Sequence, residues 1–257
     1  MLKNLFDLTG KIAVVTGGSR GLGLGLAEAL GEYGAEVVLI SRKQADLEEA
    51  VAHLGELSIR ASAFAADLST AEAASEVVAR IVAAKGRIDI LVNNAGTAWG
   101  GPAIDQTPEQ WAKVIDLNQN AVFFMAQQVA RQSMVPNGSG KILNIASVEG
   151  LMGHHPKMTS MIGYSTAKGA VIQMTRALAA EWGHHGINVN SLAPGYFLTK
   201  LTKGFLASFE QDVVDITPLE RIGTVEDMKG PALLLCSDAG RHITGHTLVI
   251  DGGATII

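Results

Sequence analysis

The chain has 257 residues, 47% of them hydrophobic and 5% aromatic, and a formal net charge of −5. This size buries a sizeable core in one α/β domain, 1–257, while the aromatic scarcity argues against a base-stacking or carbohydrate-stacking surface. The basic residues form no stripe, which excludes a nucleic-acid partner, and no apolar run reaches the ~18 residues of a membrane span, so a soluble cytoplasmic protein without a membrane partner is expected.

The first β-branched run, KIAVVT at 11–16, leads into TGGSRGLG at 16–23 and then a helical pattern over 21–32. Gly17 suits a tight turn, Gly21 lets the backbone approach a pyrophosphate, and Gly23 permits close helix packing, while free N–H groups at the helix start attract phosphates. A second strand, EVVLIS at 36–41, precedes a helix over 43–55, and a third, IRASAFAAD at 59–67, ends in Asp67 and Leu68. Ser69 with Glu72 reads as a capping box for the helix 70–85, which leaves Asp67 available for another job.

Strand IDILVN at 88–93 runs into the turn NNAG at 93–96, and a long helix over 108–133 carries Asn118 within an otherwise apolar run. The fifth strand, KILNIAS at 141–147, ends on Ser147, and helix 161–182 places Tyr164 and Lys168 at i and i+4, one above the other on a single face. After the strand INVNSLA at 187–193 comes PGYFLT at 194–199, then a helix over 224–238 containing Cys236, and the last strand, HTLVID at 246–251. With one cysteine no intramolecular disulfide forms, and a buried thiol is expected.

Short apolar strands alternating with longer helical patterns predict repeated βαβ units, that is, a doubly wound parallel sheet of seven strands with helices on both faces. Two segments break the rhythm, 148–160 and 196–216, each following the carboxyl end of a strand, where such sheets bind ligands. They are expected to form a substrate loop and a lid, the latter apolar through Tyr196, Phe197, Leu198, Phe205, Leu206 and Phe209. The adjacent pairs His154–His155 and His184–His185 have no further ligand at helical or finger spacing, and neighbouring side chains diverge, so no metal site is expected.

The ordered motifs TGGSRGLG, NNAG, Ser147, the Tyr164–Lys168 spacing, PGYFLT and DGG at 251–253 resemble the short-chain dehydrogenase/reductase family over essentially the whole chain. The resemblance implies a Rossmann-type fold and an NADP(H) or NAD(H) site built by Gly17, Ser19, Arg20, Gly21, Leu22, Gly23, Asp67, Leu68, Asn94, Ala95, Gly96, Pro194, Gly195, Phe197 and Thr199, with Tyr164 and Lys168. The second strand ends in Ser41, Arg42 and Lys43 rather than in the carboxylate that an NAD-selective site uses on the ribose, and Arg42 with Arg20 would clamp a 2′-phosphate, which selects NADP(H).

By the same resemblance Ser147 steadies the substrate oxygen, Tyr164 transfers the proton, Lys168 binds the nicotinamide ribose and acidifies the phenol, and Asn118 holds a water that continues the proton path. A phenol with a free pKa near ~10 needs about 2–3 units of acidification for this work, and Lys168 is the expected source. Among relatives, NNAGTAWG and the apolar lid resemble 3-oxoacyl reductases, including the rhamnolipid-type branch, whereas FDLTGKIAVVTGGSRGLG resembles gluconate 5-dehydrogenase. The expectation is an NADP(H)-dependent reductase of a 3-oxoacyl or similar ketone. A sugar-acid dehydrogenase and a non-catalytic NADP(H) sensor are the alternatives. The resemblance also implies a homotetramer through the helices 108–133 and 161–182, and the interval between Ser147 and Tyr164 is longer than is usual in the family.

Overall fold

The computed structural model describes residues 1–153, 160–199 and 202–257. Its strands are β1 (Ile12–Thr16), β2 (Glu36–Ser41), β3 (Ala61–Ala65), β4 (Ile90–Asn93), β5 (Gly140–Ile145), β6 (Ile187–Pro194) and β7 (Thr247–Ile250). They form one seven-stranded sheet in the order β3-β2-β1-β4-β5-β6-β7, and every pairing is parallel. The order reverses between β1 and β4, the switch point at which a doubly wound sheet opens a crevice for a ligand.

The α-helices are α1 (Leu2–Leu5), α2 (Gly21–Glu32), α3 (Gln44–Glu56), α4 (Ala71–Lys85), α5 (Pro108–Ile115), α6 (Ala121–Val129), α7 (Val135–Asn137), α8 (Ile162–Trp182), α9 (Lys203–Asp215) and α10 (Val225–Cys236). Alternate strand residues serve opposite faces, as a period of two demands. Ala13, Val15, Val37 and Leu39 pack with Leu26 and Leu30 of α2, Leu47 and Leu54 of α3, and Met228 of α10. Val14, Val38 and Ile40 pack on the other side with Val77 and Ile81 of α4, Met125 of α6 and Leu178 of α8. Both faces are therefore dry, which is why the strands read as near-continuous apolar runs. Cys236 is buried at the end of α10, where burial pushes its thiol up to about 12.

Several details differ from the sequence reading. The helix expected over 108–133 is a run of three α-helices joined by two π turns, Asp116–Asn120 and Ala130–Met134, and it continues to Asn137. The α4 cap is Thr70, whose side chain accepts from the Ala73 N–H at 3.2 Å, rather than Ser69. Ser69 instead donates its own N–H to Asp67 Oδ1 at 3.1 Å, so the turn uses part of the carboxylate that had been left available. The lid region holds a helix, α9, and its apolar residues do not all face a pocket: Phe197 and Leu206 are 3% and 1% exposed, while Leu198 is 63% exposed. His184 and His185 do not diverge: their ring centroids lie 3.8 Å apart, tilted by 42°, in the short turn after α8. His154, His155 and most of the 148–160 loop's second half lie outside the described residues. Among the described residues no three His, Cys, Asp or Glu side chains gather where a metal ion would sit, and no helix is long and apolar enough to cross a membrane.

Candidate active site

The glycine turn after β1 is shaped by two backbone requirements. Gly17 has φ +64°, and a Cβ there would lie 2.9 Å from Ala95 Cα; Gly21, at φ +57°, opens α2 with nothing within 4 Å of where its Cβ would stand. Only glycine meets both demands without strain, and the open space above Gly21 is the kind a closely approaching ligand fills. The first turn of α2 has Arg20 at the cap position and receives no side-chain cap, so its N–H groups point into that space with the positive end of the helix dipole behind them. This cradle fits the diphosphate of a dinucleotide, and Gly23 closes it from below against the Gly17 carbonyl.

Thr16, which the sequence reading passed over, welds the turn to β4. Its hydroxyl accepts from the Asn94 and Ala95 N–H groups, each at 3.0 Å, and the Asn94 side chain donates back to the Thr16 and Gly17 carbonyls at 3.0 and 3.3 Å. At the end of β2 the Ser19 hydroxyl donates to Ser41 at 3.2 Å, with Arg42 exposed beside it. Arg20 reaches Asp46 at 3.6 Å from the same side. Arg20 and Arg42 are thus both exposed at this end of the sheet. Pro194 ends β6, Gly195 follows it, and Phe197 forms an isolated parallel bridge with Gly223. That bridge uses the Tyr196 carbonyl and the Leu198 N–H, so the Phe197 backbone faces away from Gly223 while its ring joins the core. Thr202 donates to the Phe197 carbonyl and pairs its hydroxyl with that of Thr199 at 3.0 Å.

Ser147 stands two residues beyond the end of β5, and Tyr164 and Lys168 lie in the first two turns of α8. The three converge. The Ser147 hydroxyl bears on the Tyr164 phenol and favours its ionised form, and the Lys168 ammonium is 5.5 Å from the Tyr164 ring centre. Lys168 is 4% exposed and donates to the Ile145 carbonyl at 2.6 Å, its one described acceptor, which leaves two N–H bonds of the ammonium for hydroxyls of a ligand. Burial pulls it down to about 8.

The expected acidification of Tyr164 by Lys168 is not found in the chain by itself. Burial pushes the phenol up to about 12, the hydrogen bond from Ser147 opposes that rise, and the charge of Glu149 adds to it. The physical reason lies in the direction of the amine, which satisfies its buried charge on a strand-end carbonyl rather than on the phenol oxygen.

Asn118 sits fully buried in the first π turn and is a staple. Its side-chain N–H bonds go to the Thr97 and Val114 carbonyls, both at 2.8 Å, and its oxygen accepts from the Thr97 N–H at 3.2 Å. Any contribution to a proton path therefore comes through the backbone of the turn. Beneath the site runs a chain that the sequence reading missed: Asn93 donates to Asn144 at 3.0 Å, Asn144 to Thr175 at 3.0 Å, and Thr175 to the Val171 carbonyl at 2.8 Å. The only signal for it was two polar residues, Asn93 and Asn144, in strands otherwise apolar.

Comparison with known proteins follows the same outline. Residues 11–208 match the family described as short chain dehydrogenase. The chain is 40% identical over 255 residues to a gluconate 5-dehydrogenase of Gluconobacter oxydans, covering 98% of each protein. It is 38% identical over 252 residues to an NAD-dependent glycerol dehydrogenase of Listeria innocua, covering 98% of this chain and 96% of the other. Among solved structures, a gluconate 5-dehydrogenase from Burkholderia cenocepacia in complex with NADP and tartrate overlays with a TM-score of 0.95 at 34% identity, covering 100% of both chains.

Proposed function

This chain belongs to the short-chain dehydrogenase family, and from that premise we propose that it interconverts a secondary alcohol and a ketone on a sugar acid or polyol, with NADP(H) as cofactor. The general reaction follows from the family and the relatives: the chain is an oxidoreductase acting between CH–OH and carbonyl groups, and the sensor alternative falls. The observation that carries the catalytic assignment is the convergence of Ser147, Tyr164 and Lys168 at the sheet's carboxyl edge beside the glycine cradle.

When bound, the nicotinamide cofactor supplies or accepts the hydride. The chain does the rest. The spare N–H bonds of Lys168 would hold the ribose hydroxyls, the backbone of Phe197 and the hydroxyl of Thr199 would hold the nicotinamide side, and the α2 N-terminus would take the diphosphate. In reduction Tyr164 keeps its proton at neutral pH, because its phenol lies near 12, and gives it to the developing alkoxide that Ser147 already hydrogen-bonds. In oxidation the same pair would work in reverse, with Tyr164 as base once the positive charge of an oxidised nicotinamide ring beside it favours the phenolate. Asn118 holds the turn beside Thr97 in shape through its side chain, and a water on its backbone would relay the proton.

Support for NADP(H) is the pair Arg20 and Arg42 with no carboxylate at the end of β2, matched by the NADP in the Burkholderia complex. Support for a polar substrate comes from the segment expected as a lid, where Leu206 is buried in the core and Leu198 is exposed, so neither adds to an apolar lining for an acyl chain. Exposed Trp111 on α5 and Ile162 on α8 support a homotetramer formed through these helices, and sedimentation would test it. A cytoplasmic setting suits a nicotinamide-dependent enzyme of this kind. The functional test is a cofactor-oxidation screen with NADPH and NADH over 5-keto-D-gluconate, neutral ketoses and 3-oxoacyl thioesters. Fastest turnover of a polyhydroxylated ketone with NADPH supports the proposal. Turnover confined to acyl thioesters overturns it.

A further inference from the structure

One buried acid beside the reacting groups has no part in this mechanism. Glu149 is 5% exposed and lies two residues beyond Ser147, in the single turn Val148–Gly150. A buried carboxylate costs several kcal/mol unless hydrogen bonds repay it, so its contacts show what it is kept for. Its backbone N–H donates to the Ser147 hydroxyl oxygen at 3.2 Å. Its carboxylate accepts from the Ser165 hydroxyl at 3.1 Å, which shares its one proton with the Met161 carbonyl at 3.2 Å, and, over a longer 3.5 Å, from the Tyr196 hydroxyl. Ser165 is the residue directly after Tyr164 in α8. The turn also presses on that helix at Gly150, where a Cβ would meet the Gly169 nitrogen and the Lys168 carbonyl carbon at 2.6 Å each.

The covalent route between Ser147 and Tyr164 is long for this family, and a longer connection defines the relative position of its ends less well. A contact that bypasses the connection restores that definition. We propose that Glu149 is a positioning residue: by holding Ser165 it locks the turn that carries Ser147 onto the helix that carries Tyr164, and so fixes the two reacting hydroxyls across the lengthened loop. The inference rests on the assignment of Ser147 and Tyr164 as the reacting pair.

Three ionisable groups among the described residues bear on the Tyr164 hydroxyl: Lys168 from its own helix, Glu149 from the turn, and, through Glu149, Tyr196 from the segment after β6. The charge of Glu149 raises both phenols. Removing the charge while keeping a hydrogen-bond acceptor therefore gives a signature that a merely structural residue would not produce.

The experiment compares Glu149→Ala, Ser165→Ala and the double variant with NADPH and 5-keto-D-gluconate, together with Ser165→Thr and Glu149→Gln. Each alanine variant should lower kcat about tenfold or more, with the NADPH KM within about twofold. The double variant should be no worse than the poorer single one, because both remove the same contact. Ser165→Thr, which keeps the hydroxyl, should recover at least about fivefold over Ser165→Ala. In ultraviolet titration, the phenol that disappears in a Tyr164→Phe background should ionise at lower pH in Glu149→Gln. Losses that multiply in the double variant, single variants within about twofold of wild type, or an unmoved Tyr164 titration would each overturn the proposal. If the wild type ignores 5-keto-D-gluconate, that counts against the substrate reading alone, and the phenol titration decides on Glu149.

Discussion

Replacing Lys168 by Met should abolish turnover and at the same time change how folding stability depends on pH, by an amount the site itself sets. The ammonium is buried with one carbonyl acceptor, and burial brings it from 10.5 in the unfolded chain to about 8 in the folded protein. At about 1.36 kcal/mol per unit, that is a penalty on the order of 3 kcal/mol on the charged form. The folded pKa lies below the unfolded one, so between pH 8 and 10.5 the unfolded chain binds more protons and stability rises with pH. Wild type should therefore gain on Lys168→Met by roughly 2 kcal/mol between about pH 7.5 and 9.5, whatever constant difference the lost hydrogen bond adds. Tyr164, at about 12, titrates above this window and drops out of the difference. Urea unfolding of both proteins across the range, without cofactor and at one protein concentration, measures it. A stability difference that stays flat, or moves the other way, would refute the claim that the site holds a desolvated ammonium in wait for a ligand's hydroxyls.

If the proposed NADP(H) assignment holds, Arg20→Ala and Arg42→Ala should each weaken NADPH binding about tenfold and leave NADH within about threefold, read by nucleotide fluorescence titration, since each would remove a partner of the 2′-phosphate alone. Asn144→Ala should cost about 2–4 kcal/mol in denaturant unfolding, because it opens a cavity in β5, takes one of the two acceptors of the Asn93 amide and removes the donor to the Thr175 hydroxyl.

The parts of this molecule that could be read from the sequence are those set by local chemistry. Strands such as Ile12–Thr16 and Ile90–Asn93 are buried along their whole length, so their apolar runs announced them. The glycine turn was legible because φ +64° at Gly17 and the crowding by Ala95 admit no other residue. Where two neighbours are equally able to cap a helix, as Ser69 and Thr70 are, the pattern could not choose, and Thr70 does the work. The π turn at Asn118 was illegible because its cause is tertiary, a side chain stitched to Thr97 across the site. Lys168 was expected to acidify the phenol, yet its ammonium donates to the backbone carbonyl of Ile145, and no side-chain pattern reports a carbonyl. Glu149 escaped notice for a similar reason: its partner Ser165 becomes its neighbour only once the turn packs on α8.

The account stands or falls on Tyr164 as the group that exchanges the proton. The direct measurement is the rate of NADPH oxidation by Tyr164→Phe with the ketone that wild type reduces fastest, alongside the NADPH dissociation constant. A rate about a thousandfold lower with the dissociation constant within about twofold is the predicted result. A rate within about tenfold of wild type would contradict it.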